Sequence, residues 1–183
     1  MIVVNIIFFI LFSSIIIVSF SGLGNLFTRN RDSDFFLKVF YGLIVISLLI
    51  TSIHFFVKIN IYISLSILFI GLIFGLKNIN KINKKDKIIY FIIFLILTPI
   101  YITQKHHEDF GYYHLPYVIN MANEKIVFGL ANTNRAFVHN SLWLNVMSAF
   151  YIKNNFNFVT LPNFLVYLTF IIFSANQIIK NKK

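Results

Sequence analysis

The chain has no cysteine, which excludes disulfides and any thiol chemistry and leaves the redox compartment unmarked. Charge is scarce as well. Only 12% of the 183 residues are Asp, Glu, Lys or Arg, whereas 58% are hydrophobic and the mean hydropathy is +0.79. A soluble domain of this length needs far more charged surface. No Asn-x-Ser/Thr sequon occurs, and Gly22 and Gly24 do not open a dinucleotide fingerprint, because the third glycine and a preceding strand are missing. Acids are scarcest of all, six against 16 Lys and Arg, for a formal charge of +10. The basic residues lie between apolar runs and not along one face. They therefore read as flanking charges that orient helices, and nucleic acid is not an expected partner.

What remains is a set of long apolar runs, each near the length that spans a hydrocarbon core of roughly 30 Å at 1.5 Å rise per residue. The pattern predicts an all-α integral membrane protein with five spans: Ile2–Phe20, Val39–Val57, Ile61–Leu76, Ile88–Thr103 and Leu161–Ile179. The first lacks the basic leader of a signal peptide and is long for one, so it reads as an uncleaved helix. Residues 1–103 form a four-helix transmembrane region, 104–160 an extracytoplasmic loop, and 161–183 a fifth helix with a basic tail. Alternate sides carry eleven and five Lys and Arg, counting Arg29, Arg31, Lys38, the five lysines from Lys77 to Lys87 and the three of the tail as the richer group. By the positive-inside rule that group is cytoplasmic, which places the amino terminus and residues 104–160 outside and the carboxyl terminus inside.

Within the spans, Gly71 and Gly75 make a G-x-x-x-G face that lets two helices approach closely. Pro99 should kink the fourth span. His54, near the outer end of the second, is an intramembrane ionisable group that either serves function or caps a neighbour.

The polar chemistry concentrates in His106-His107-Glu108-Asp109-Phe110-Gly111-Tyr112-Tyr113-His114-Leu115-Pro116. After it, Leu115, Val118, Ile119, Ala122 and Ile126 recur at helical spacing, with Gly129 as a stop. A second amphipathic helix should begin at Asn140 or Ser141 as N-cap and carry Leu142, Val146, Ala149 and Phe150 on one face. The turn Ala131–Arg135 joins two helices expected to lie along the outer surface. Trp143, Tyr151, Phe156 and Phe158 suit a belt at headgroup level. A carboxylate at Glu108 or Asp109 can take a proton from an attacking hydroxyl. Arg135, Lys105 and the histidines can hold a phosphate, and Tyr112, Tyr113 and Trp143 offer flat faces for sugar rings. His106, His107, Glu108 and Asp109 also offer ligands for a divalent metal. The same acid pair also reads as a solvated helix cap, the commoner role of such a pair beside a membrane.

The order acid pair, tyrosine, surface helix, glycine, polar turn, His-led second helix resembles the first large outer loop of the glycosyltransferase C superfamily. The matching positions are Glu108-Asp109, Tyr112 or Tyr113, Gly129 and His139. The run Glu108–Pro116, with Asn134–Ser141 downstream, is closer still to bacterial membrane proteins of surface-polysaccharide (O-antigen type) gene clusters that look like distant relatives of that superfamily. Asn140 and Ser141 follow His139 here, where many superfamily members have prolines, and the chain has five spans where such proteins continue through several more.

The resemblance covers about a quarter of the chain. It implies a bacterial cytoplasmic-membrane glycosyltransferase, or an amino-terminal fragment of one, that takes sugar from a polyprenyl-phosphate glycolipid. Asp109 and Glu108 would be catalytic, and Tyr112, Tyr113, His114, Arg135, His139 and Asn140 would bind substrate. A divalent metal is an open alternative as cofactor. Open alternatives for the whole are a non-catalytic subunit of a polysaccharide polymerase or flippase assembly, and an inactive truncated remnant.

Overall fold

A computed structural model describes residues 2–28, 34–103, 107–133, 135, 141–153 and 156–181. Among the described residues 83% are helical and none lies in a strand. Five helices are long and apolar enough to cross a membrane: α1 (Ile2–Thr28), α2 (Phe35–His54), α3 (Ile61–Ile79), α4 (Lys84–Thr103) and α8 (Leu161–Asn181). Between α4 and α8 lie a π-helical turn (Phe110–His114) and the short helices α5 (Leu115–Asn123), α6 (Leu130–Thr133) and α7 (Leu142–Ser148). The fold class expected from the sequence is thus the observed one.

Each of the first four spans overruns its hydropathy boundary at one end, while α2 stops at His54, short of Val57; the added first turns of α2 and α4 have a local cause. Asp34 caps α2 five residues before Val39, its Oδ1 accepting from Phe36 N at 2.9 Å. Asn60 caps α3 at its expected start, accepting from Ile63 N at 3.1 Å. The carbonyl of Asn83 accepts from Lys87 N at 3.1 Å, so the lysine-rich first turn of α4 is helical too. α4 runs on through Pro99 to Thr103. The missing proline N–H leaves the Leu95 carbonyl without its helical donor.

The chain divides into two compact units. The first combines residues 1–45, 67–104 and 163–183. Glycine organises its packing. A Cβ built on Gly22 would strike the carbonyl oxygen of Gly71 and lie 2.5 Å from Gly75 N. One on Gly75 would strike Val18 O, one on Gly24 Lys38 O, and one on Gly42 Phe20 O. Backbone therefore meets backbone where α1 crosses α2 and α3, the close approach that substitutes for a hydrophobic driving force between helices in lipid. Asn78 seals the α1–α3 contact by donating from Nδ2 to Ser21 O at 3.0 Å. Phe9, Phe94, Tyr101 and Phe164 form a ring cluster joining α1, α4 and α8, with centroids as close as 4.9 Å between Tyr101 and Phe164.

The second unit combines residues 46–66 with 105–162. Tyr117, Val118 and Met121 of α5 bury against Leu144 and Met147 of α7 and Val159, with Phe110, Leu115, Trp143 and Tyr151 around them. Burial pushes the Tyr117 phenol above the usual tyrosine range, so it stays neutral. Ser141 caps α7, as expected, accepting from Trp143 N at 3.2 Å. Of the face expected for this helix, Val146, Ala149 and Phe150 are buried, but Leu142 is not. Leu142 is exposed, while Asn145 and Ser148 are buried beside Leu144, Val146 and Met147.

The two helices do not stand alone in this unit; they are bonded to the end of α2. His54 is buried, and its Nε2 lies 3.0 Å from the Glu124 carbonyl oxygen. Ile126 N donates to His54 O at 3.2 Å, Ile59 N to Met121 O at 3.3 Å, and Asn145 Nδ2 to Thr51 Oγ1 at 3.0 Å. These bonds explain why α5 stops at Asn123, short of the expected stop at Gly129. Glu124 is drawn into an extended conformation (φ −125°, ψ 154°) so that its carbonyl meets the histidine. Gly129 serves a later turn, at φ 81°, where its carbonyl accepts from Asn132 N at 2.8 Å.

Replacing His54 with alanine should cost about 1–3 kcal/mol, because the Glu124 carbonyl loses its partner. Hydrogen exchange in the Glu124–Phe128 segment should rise well above that of α7 in the same sample. Unchanged exchange there would mean that the histidine does not hold the segment.

Candidate functional site

The carboxylates of interest open a helix. Residues 108 and 109 are α-helical, the next turn is π-helical, and α5 continues from it. Leu115 N donates to Phe110 O, the five-residue step that defines the π turn. Phe110 N donates to His107 O at 2.9 Å and starts the first turn. A π turn inserts one residue and so rotates the turn before it relative to the turn after it. Phe110 and Leu115 thereby pack on the small core, while Glu108 is exposed. Asp109 is half exposed.

His107 Nδ1 and Asp109 Oδ2 lie 3.3 Å apart, an ion pair only when the imidazole is protonated, with the side chains 80% and 50% exposed. Asp109 N also lies 3.3 Å from that Nδ1. The two contacts need opposite states of one nitrogen. A bare Nδ1 accepts from the backbone, whereas a protonated Nδ1 donates to the carboxylate. At this exposure the pair is worth little to stability, on the order of 0–1 kcal/mol.

Beyond the acid pair, Tyr112 is 80% exposed, and Tyr113 sits against His114 with centroids 4.2 Å apart. Nδ1 of His114 is buried without a hydrogen-bond partner. Nothing lies within 4 Å of a Cβ built on Gly111, so this turn is open on that side.

The remaining expected site residues divide. Arg135 is described and exposed, and among the described residues no ion pair joins it to Glu108 or Asp109. Lys105, His106, His139 and Asn140 lie outside the described residues. Among the described residues no group of three or more His, Asp or Glu side chains converges as a metal site. The sequence reading did not single out Thr51 and Asn145, whose hydroxyl and buried amide tie α2 to α7; Asn145 Oδ1 remains without a partner. No periodicity signals such a pair, since each residue is one polar side chain in an apolar run.

Fold and segment together define a class: an all-α membrane protein whose chain, after its fourth candidate span, presents an acid pair at the head of an amphipathic helix. The family described as Domain of unknown function (DUF8201) matches residues 1–183, and the chain belongs to that family. No curated protein and no solved structure matches it significantly.

Proposed function

We propose that the protein is a glycosyltransferase-like membrane protein of cell-envelope polysaccharide synthesis, acting on a sugar carried by a polyprenyl phosphate. In this reading Asp109 takes the proton of an acceptor hydroxyl as that oxygen attacks the anomeric carbon. The bond from that carbon to the phosphate oxygen breaks, and polyprenyl phosphate leaves. Glu108 supports the base. Arg135, His114 and His139 contact the phosphate, and Tyr112 and Tyr113 offer ring faces to the sugar. The observation that carries the reading is the acid pair at the head of the helix that comes after α4, with an exposed tyrosine and a paired tyrosine–histidine in the next turn. The resemblance to the outer loop of the glycosyltransferase C superfamily supplies the substrate class.

The reading requires residue 109 on the outer face of the membrane. Because the chain has no cysteine, an Asp109→Cys variant carries a single thiol. Intact cells expressing it should react with an impermeant maleimide. Labelling only after the cells are broken would put the carboxylate on the cytoplasmic side and end the proposal. Membranes containing the protein should also transfer radiolabelled sugar from polyprenyl-phosphate donors. Retention of the glycolipid without transfer would instead assign the chain to a non-catalytic subunit.

A further inference from the structure

The basic end of the first unit carries a feature that the sugar-transfer reading does not use. Lys77, Lys81, Lys84, Lys85 and Lys87 fall within eleven residues spanning the end of α3, the turn and the first turn of α4, against the single acid Asp86. Beneath them α1, α2, α3 and α4 line a partly open pocket of about 210 Å³. Its wall includes Ile17, Val18, Phe36 and Ile82, with Tyr90 and Lys87, and Lys87 is the charged group among its lining residues.

Apart from the Lys87 ammonium, the side-chain polar atoms in that wall, Ser14 Oγ and Tyr90 Oη, are already engaged with protein. Ser14 Oγ donates to Ile10 O at 2.9 Å and lies 3.4 Å from Tyr90 Oη. The Tyr90 ring is stacked between neighbours, 6.1 Å from Phe36 and 5.5 Å from Phe94. A water inside would find few of the two to four polar partners it needs. An apolar cavity of roughly 150 Å³ already takes a benzene molecule, so this one has room for a run of methylenes. Its surroundings supply them. α4 buries only 17% of its apolar window, and Ile88, Phe91, Ile92 and Leu95 are exposed along it, so the helix beside the cavity faces lipid.

We propose that this basic end binds one anionic phospholipid of the surrounding bilayer, its phosphate against Lys87 and part of an acyl chain in the cavity below. Charge complementarity selects the occupant. A zwitterionic headgroup would bring a second cation among five lysines, whereas a net-negative phosphate ester is matched by them. Basic pockets between transmembrane helices, at the end the positive-inside rule makes cytoplasmic, are where anionic headgroups are recognised. The site is independent of Asp109 and of sugar transfer.

Native mass spectrometry of the full chain in mild detergent tests it. Phosphatidylglycerol, phosphatidylcholine with the same chains, and glycerol phosphate without chains are added in turn. One phosphatidylglycerol should be retained per chain, phosphatidylcholine at least about fivefold less, and glycerol phosphate not at all. Lys87→Gln should lower phosphatidylglycerol retention about fivefold, and Lys85→Gln, outside the cavity, by less. Ile82→Trp, which fills the cavity, should lower retention of both lipids; if that variant does not fold, Lys87→Gln decides alone. Equal retention of the two lipids, retention of chainless glycerol phosphate, or an unchanged Lys87→Gln would each overturn the proposal.

Discussion

Gly22→Val should be among the most damaging single substitutions in the chain, lowering stability by about 3 kcal/mol or more. The added Cβ would occupy the place of the Gly71 carbonyl oxygen and crowd Gly75 N, both backbone atoms that cannot rotate away. Overpacking a core against flexible side chains typically costs about 1–3 kcal/mol. Here an entire helix must move, and the Asn78–Ser21 bond on the same crossing is placed at risk. Gly75→Val should behave alike, because its Cβ would meet the Val18 carbonyl. Gly111→Ala is the matched control: open space surrounds it, and no left-handed backbone is involved. Alanine there should be neutral, or stabilising by up to about 1 kcal/mol. Thermal unfolding in a single detergent compares the three. A Gly22→Val protein that melts with the wild type would refute the backbone-to-backbone crossing of α1 and α3.

Asp109→Asn should reduce sugar transfer by on the order of a hundred- to ten-thousandfold, the usual cost of losing a positioned general base. The substitution keeps shape and removes only the charge. Asp109 is half exposed and its contact with His107 spans 3.3 Å at an exposed position, so the variant should remain folded. That separates chemistry from stability, and melting of the variant should match the wild type. Glu108→Gln should cost less, because a supporting carboxylate does not take the proton. Transfer by Asp109→Asn at the wild-type rate would remove Asp109 from the mechanism while leaving the lipid site at Lys87 untouched.

The contrast between these two positions reflects how the sequence encodes each. Gly71 and Gly75 announce a helix-packing face by their spacing alone. Gly22 and Gly24, in contrast, are two residues apart and carry no such signature. Their role emerges only because α1 continues to Thr28, eight residues beyond the run that hydropathy delimits. In a bilayer an interrupted backbone would strand polar groups, so a Ser-Gly-x-Gly stretch beside other helices stays helical. The same logic applies to α2 and α4, whose caps Asp34 and Asn83 lie in polar sequence that a hydropathy window discards.

At the acid pair, the neighbours in sequence were legible: the carboxylates, the two tyrosines and His114 succeed one another and fall in consecutive helical turns. The π turn was not, since five residues of Phe-Gly-Tyr-Tyr-His carry no periodic signal that separates it from an α-helical turn. Nor was the buried face of α7. Helical spacing ranked Leu142 with Val146 by hydrophobicity. The structure also buries Asn145, whose Nδ2 donates to Thr51 Oγ1 and so recovers part of the cost of desolvating the amide.

Composition and run length by themselves determined that the protein is all-α, that five helices can cross a membrane, and that its polar chemistry gathers after the fourth. Those properties arise from the transfer free energy of whole segments, which sums over residues regardless of partners. Only tertiary structure decided where α5 ends, which face of α7 is buried and which glycines meet backbone. Each of these depends on a group far along the chain, His54, Thr51 or Gly71, arriving within hydrogen-bonding or van der Waals distance, and no local pattern specifies such an encounter.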